Sequence, residues 1–436
     1  MASWNTTKPR IPRRTRLTIL VVVLALSFQT FHYFPGMSLV QDAWYVLMSI
    51  ALIGIYLPWR RRQQGSPRSL EAYVLVVLAL VPLWSAYAAQ REFGQPLLYG
   101  LLAQRGFVLV AGIPLLTHQA LATRSITRRD LEHAMVFLAW STMFLYLAMF
   151  LFLDAGSYFS AYGLGFVTND GKEAKFKFNV VFIVFGFFYY AFKGLRHQSR
   201  PDYLRCASFF FFLLLITHGR SLLLSLILSF LTLVILWTPN KTRLLSYLPK
   251  VALTAGFFWI GLFFFNHDLY VNLVDKFTSA FTVVFTGELT DDPSANARIS
   301  ETLLALPYIQ NHWFSGNGVI SNQWNGGFQN AMPGYFFPDD IGIIGVVYIY
   351  GIAGLFMFMT ELKLALSFAR GLPLLARQHP LLDAAKGFIL FYALRFPATG
   401  FFDAHEAALF FIGLLWGWSL LSVRTPPEAI PLQKPI

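Results

Sequence analysis

The stretch FFLLLITHGRSLLLSLILSF, residues 211–230, decides how this chain is read. It is almost wholly apolar and long enough to cross a bilayer, yet His218, Gly219 and Arg220 stand in its middle. An arginine held at bilayer depth costs at least ~2.5–3.5 kcal/mol on insertion scales. The run therefore reads as two spans, about 204–218 and 220–237, joined by a hairpin that puts Arg220 at a membrane face.

The rest of the chain follows the same pattern. Of its 436 residues 56% are hydrophobic and 13% charged, and the mean hydropathy is +0.54. A soluble protein carries roughly a quarter charged residues. Ten further apolar runs, about 17–34, 41–59, 70–89, 97–117, 131–153, 176–193, 249–266, 341–360, 385–400 and 404–423, approach the length of a membrane span. The expected fold is all-α and integral to the membrane, with about twelve helices in one polytopic domain, 1–436. The first span follows KPRIPRRTR and lacks a small-residue cleavage site, so it reads as an anchor. The lone Cys206 leaves no intrachain disulfide and no thiolate metal cluster.

Charge sets the orientation. With the N-terminus inside, the termini and the connections 60–68, 118–130, 193–205, 238–250 and 361–380 hold 24 of the 34 Lys and Arg. The other face holds 15 of the 22 Asp and Glu. This is the positive-inside bias, with both termini cytoplasmic. It also accounts for the net charge of +12 without nucleic acid. Arg220, Arg298, Arg105 and Arg395 fall outside the bias.

One long outer segment, about 267–340, lies between spans nine and ten. Apolar spacing over 269–285 predicts an amphipathic interfacial helix, and a second helix is expected from near Ser294. Then comes NHWFSGNGVISNQWNGGFQNAMPGYFFPDD, rich in glycine turns, amides and aromatics. Trp313, Trp324, Phe328, Tyr335 and Phe336 suit sugar rings, or equally a loop anchored among lipid headgroups.

Arg220, Arg298 and Arg105 are candidates to hold an anion such as a lipid pyrophosphate, because guanidinium binds phosphate oxygens bidentately and stays charged. The bland readings are snorkelling for Arg220 and an ion pair within the bundle for Arg105. Arg395 has Asp403 or Glu406 as ready partners. Asp339 and Asp340, at the mouth of span ten, could assist an acceptor hydroxyl or simply cap a helix. His405, with Asp403 and Glu406, forms a second candidate group, while His312 and His218 are weaker. No metal spacing, nucleotide-binding loop or cofactor signature is present in the sequence. Chemistry at the outer face would then need an already activated donor.

Three segments carry a resemblance. LLLITHGRSLLLSLILSFLTLVI (213–235), ARISETLLALPYIQNHWFSGNGV (297–319) and FPDDIGIIGVVYIYGIAGL (337–355) resemble the O-antigen ligase and polysaccharide polymerase superfamily, with Arg220, Arg298, Gly316, Gly318, Gly342 and Gly345 at the matching places. The resemblance implies a fold of the membrane glycosyltransferase type in the bacterial inner membrane. It implies metal-independent transfer of glycan from undecaprenyl pyrophosphate on the periplasmic side, with Arg220 and Arg298 at the pyrophosphate. Membrane lipids, an acceptor glycan or lipid A core, and a chain-length regulator protein would be the partners. Ligases carry a His-Asn pair where this chain reads NAMPGYFFPDD, with Ala331 near that place. The Pro-x-Asp-Ile-Gly form resembles polymerases and moves the base role to Asp339 or Asp340. A ligase remains the alternative. The rival of another class is a flippase for lipid-linked oligosaccharides. It would need charges in the cytoplasmic half of the spans, and those stretches read as Leu, Val and Phe.

Overall fold

A computed structural model describes residues 12–31, 34–63, 69–123, 125–162, 167–169, 174–217, 219–237, 293–372 and 379–424, with single residues between 260 and 278. Among the described residues the secondary structure is helical apart from one short antiparallel ribbon, β1 (Val167–Asn169) with β2 (Ala174–Phe176). Among them four helices are long and apolar enough to cross a membrane: α2 (Met37–Arg61), α3 (Ser69–Phe93), α6 (Arg128–Phe152) and α14 (Ile352–Arg370). A fifth span forms if α4 (Leu97–Ala103) and α5 (Phe107–Ala122), bent by 48° at their junction, are taken together. The remaining helices are α1 (Arg13–Ser27), α7 (Ala155–Tyr162), α8 (Val181–His197), α9 (Arg200–Phe212), α10 (Arg220–Trp237), α11 (Pro293–His312), α12 (Phe328–Ala331), α13 (Gly342–Tyr350), α15 (Pro380–Thr399) and α16 (His405–Arg424). The expected span nine and most of the expected interfacial helix 269–285 lie outside the described residues, as does His218.

Packing separates central helices from lipid-facing ones. α8 is buried from Val181 to Phe192, and α16 from Ala407 to Trp418. A helix apolar all round must be enclosed by others. α6, α9 and α15 surround α8, while α5 and α14 flank α16. Small residues let these helices approach, as where Gly387 of α15 receives the Phe188 ring and Gly413 of α16 meets Pro114 of α5. By contrast, Ile50, Ile53, Leu80, Phe137, Phe144 and Phe356 remain exposed, as expected of side chains that face hydrocarbon.

Two features depart from the sequence reading. Span ten breaks at Gly351 (φ +62°), and its second half runs on to Arg370, so 361–370 is helix rather than connection. The second departure follows: Glu361, expected in a cytoplasmic turn, is 1% exposed inside the bundle. There it accepts hydrogen bonds from Tyr73 Oη at 2.7 Å, His405 Nε2 at 2.7 Å and Tyr392 Oη at 3.5 Å. The span interiors are therefore not unbroken apolar runs.

Candidate functional site

The segment after α11 is built to dock. Trp313 O accepts from Ile352 N at 2.9 Å, Asn317 N donates to Tyr348 O at 2.8 Å, and Gly318 N donates to Ile349 O at 3.0 Å. These bonds use the backbone groups that the break at Gly351 releases. On the other side Val319 N donates to Ser85 Oγ, and Gln95 bonds both Val319 O and Ser321 N. Gly316 (φ +68°) and Gly318 (φ +83°) thus serve close backbone approach between α3 and α13. His312 belongs to the same seam, with Asn317 Oδ1 at 2.9 Å and Glu92 at 3.5 Å.

Beyond this seam a short 3₁₀ turn, Pro338–Ile341, carries Asp339 and Asp340. It rests on the end of α15, where Gly342 (φ +54°) lies against the backbone of Pro397 and Ala398. α11 packs against the turn and against α13, and brings Arg298 and Glu301. Glu301 is 1% exposed, and its Oε1 accepts the Phe337 N–H at 3.1 Å. Its other oxygen, Oε2, is buried without a hydrogen-bond partner. Arg298 is exposed and within electrostatic reach of both Glu301 and Asp340, and Lys177 reaches Asp339 and Asp340.

The two aspartates keep surface open to solvent, yet the protein around them desolvates them. They line a recess. Burial and the neighbouring Asp340 raise the Asp339 carboxyl to about 6, against the pull of Lys177. Burial likewise raises Asp340, opposed by Arg298 and Lys177. Glu301 rises to about 7, through burial first and Asp340 second. Carboxyls poised this close to neutrality beside fixed cations suit proton transfer. Among the described residues no group of three or more His, Cys, Asp or Glu is placed to hold a metal ion.

An apolar groove of about 470 Å³ opens nearby, between α3, the start of α14 and Phe314. Leu80, Leu83, Trp84, Tyr87, Tyr350 and Met357 line it. Tyr350 in its lining is within electrostatic reach of Asp339. Trp84 Nε1 donates to Ser315 O at 2.9 Å and fixes one wall.

The residues singled out from the sequence divide as follows. Asp339, Asp340 and Arg298 come together. Arg220 opens α10 and is half-buried. Its height follows from ring contacts. Phe230 meets Phe187 and Phe192 of α8, and Phe188 meets Gly387 of α15. Ten residues outward along each helix, about 15 Å, bring Arg220 level with Pro397 and hence with the aspartate turn. Arg105 instead pairs with Asp42 at 2.7 Å and bonds Leu102 O. His405 is 3% exposed and bound to Glu361. Of its expected companions, Glu406 is within electrostatic reach of His405 and Asp403 but accepts its hydrogen bond from Gln29 at 2.9 Å, and Asp403 pairs with Arg395 at 2.5 Å. Trp313 and Tyr335 are exposed, beside the Phe314 and Phe337 rings respectively, and Trp324 is half-buried. Phe328 and Phe336 pack into a core around Tyr348 and have no face for sugar, because that core needs them to close the loop. Glu301 and Lys177 join the site unexpectedly. The spacing of Glu301, one helical turn after Arg298, was the available signal.

Comparison with family models, curated proteins and solved structures finds no match to this chain.

Proposed function

We propose that this membrane protein is a metal-independent, inverting glycosyltransferase. It polymerises glycan repeat units from undecaprenyl-pyrophosphate donors on the outer face of the bacterial inner membrane. One observation carries the reading: an apolar groove is lined in part by Tyr350, which is within electrostatic reach of the turn where Asp339 and Asp340 stand beside Arg298. A long isoprenoid with a diphosphate head and a sugar needs this succession of surfaces. The reading keeps twelve spans, cytoplasmic termini and a periplasmic segment 267–340, with Trp313, Trp324 and Tyr335 toward the glycan.

In the reaction the acceptor hydroxyl oxygen attacks the anomeric carbon of the donor sugar. Asp339 or Asp340 takes the hydroxyl proton. The bond from the anomeric carbon to the phosphate oxygen breaks, and the pyrophosphate leaves with the electron pair. Arg298 and Arg220 stabilise the charge that develops on it. In-line displacement inverts the anomeric centre.

The test is repeat-unit transfer by detergent-purified protein from a purified lipid-linked donor, where turnover in micelles is chemistry and not transport. Arg298→Ala and Arg220→Ala are each expected to lower kcat by roughly 10²–10³-fold. Near-normal chain lengths from both variants would overturn the assignment.

A further inference from the structure

Glu301 is a second kind of acid from the two aspartates beside it. Its side chain is enclosed, with the residue 1% exposed, whereas Asp339 and Asp340 keep open surface. Oε1 accepts the Phe337 N–H, and Phe337 O in turn accepts the Asp340 N–H at 3.0 Å. Glu301 therefore holds one end of the turn that aims the aspartates. Oε2 is enclosed with no donor to meet it, which an ionised carboxylate tolerates poorly.

Among the described residues, Arg298 from its own helix and Asp340 from the turn act on Glu301, and Lys177, from the segment before α8, reaches Asp339 and Asp340 beside it. Tyr348 and Tyr350 come from α13, which packs against α11. Arg298 is exposed, so its attraction is screened by solvent. Asp340, on the turn that Glu301 holds, repels a second negative charge.

We propose that Glu301 is the positioning residue of the aspartate turn and does this work as the neutral acid, with its proton on Oε2. Ionising it places two like charges across the turn and pushes Asp340 away from its working position. The turn is then held only on the acid side of neutrality. Burial and Asp340 raise the Glu301 carboxyl to about 7, which puts the change near neutral pH. This inference rests on the transfer reading for what the turn does, but not for the state of Glu301.

Two measurements test it. The first needs no activity: infrared difference spectra of the full chain in nanodiscs, titrated from about pH 5 to about pH 9. A neutral-carboxyl band that fades around pH 7 in the wild type, is missing from Glu301→Gln, and fades at lower pH in Asp340→Asn supports the proposal. Wild-type and Glu301→Gln spectra that coincide overturn it. The second is the ratio of transfer rates at about pH 8 and about pH 6. The wild type is expected to fall about tenfold and Glu301→Gln, locked neutral, less than about twofold. Equal ratios overturn the positioning role while leaving the transferase reading intact. Loss of the band difference and loss of transfer thus report on separate claims.

Discussion

Two of the acid sites in this helix bundle differ in what their oxygens meet. Glu361, deep among α3, α14, α15 and α16, is surrounded by donors from three helices. Glu301, Asp339 and Asp340, at the end of the bundle, have an oxygen with no donor, surface open to solvent, and, among the described residues, Arg298 and Lys177 as cations in electrostatic reach. A satisfied polar network fixes helices against one another. An unsatisfied one is left for something else to complete. On the transfer reading the first group is structural and the second serves the chemistry, although a protein buried in lipid tolerates ionisable groups poorly in either place.

The largest effect that could break this contrast is Glu361→Ala. Removing the carboxylate leaves His405 and the Tyr392 hydroxyl in a closed site without their acceptor, and leaves Tyr73 Oη only the Met357 carbonyl at 3.4 Å. The expected loss is about 3–5 kcal/mol of folding stability, measured by denaturant unfolding in detergent. Asp340→Asn should change stability by less than about 0.5 kcal/mol in the same measurement, because its side chain is exposed. If both variants unfold alike, the division between the two groups fails.

The contrast also shows how far residue order alone carries. The apolar runs and the charge bias make the helices legible, and α10 and α16 stand where the runs place them to within a residue. The loop helix is legible because Ser294 begins a stretch with helical spacing. Asp339 and Asp340 stand out as adjacent acids at the mouth of an apolar run. Glu361 does not stand out. It sits beside Lys363 at the end of that run, where a charged pair reads as a helix emerging into water. Only the break at Gly351 shows otherwise, since it moves the start of the span ten residues along the chain. His405 is misread for the same reason: its local neighbours are acids, but its partner is 44 residues away. Pairings at that separation depend on helix depth, which hydropathy does not specify.

Gly351→Ala should sharpen the point with a smaller effect. Residue 351 must adopt φ +62°, and a Cβ there would meet the Phe314 carbonyl. The backbone conformation alone costs about 1–3 kcal/mol in a residue other than glycine. The loss should come with separation of the 313–318 segment from α13, seen as faster hydrogen exchange at the Asn317 and Gly318 amides. Their bonds to Tyr348 O and Ile349 O hold that seam. A stability loss without faster exchange there would place the strain elsewhere.

Arg105→Ala should have the smallest effect, and it tests the boundary between the two kinds of charge. Arg105 lies at the bend between α4 and α5, where its Nε meets Asp42 at 2.7 Å and its Nη1 bonds the Leu102 carbonyl. The two side chains of the pair are 41% and 47% exposed. An ion pair in such surroundings contributes about 0–1 kcal/mol, because solvent screens it and two flexible chains must be held. Its loss should therefore lower stability by less than about 1 kcal/mol and change transfer less than about threefold, against the hundredfold expected at Arg298. A loss of transfer as large as that of Arg298→Ala, at unchanged stability, would mean that Arg105 leaves Asp42 for the substrate when the donor binds. The anion site would then reach from α11 to the bend of α4 and α5, and a hydrogen-bonded partner in the free protein would no longer be enough to mark a cation as structural.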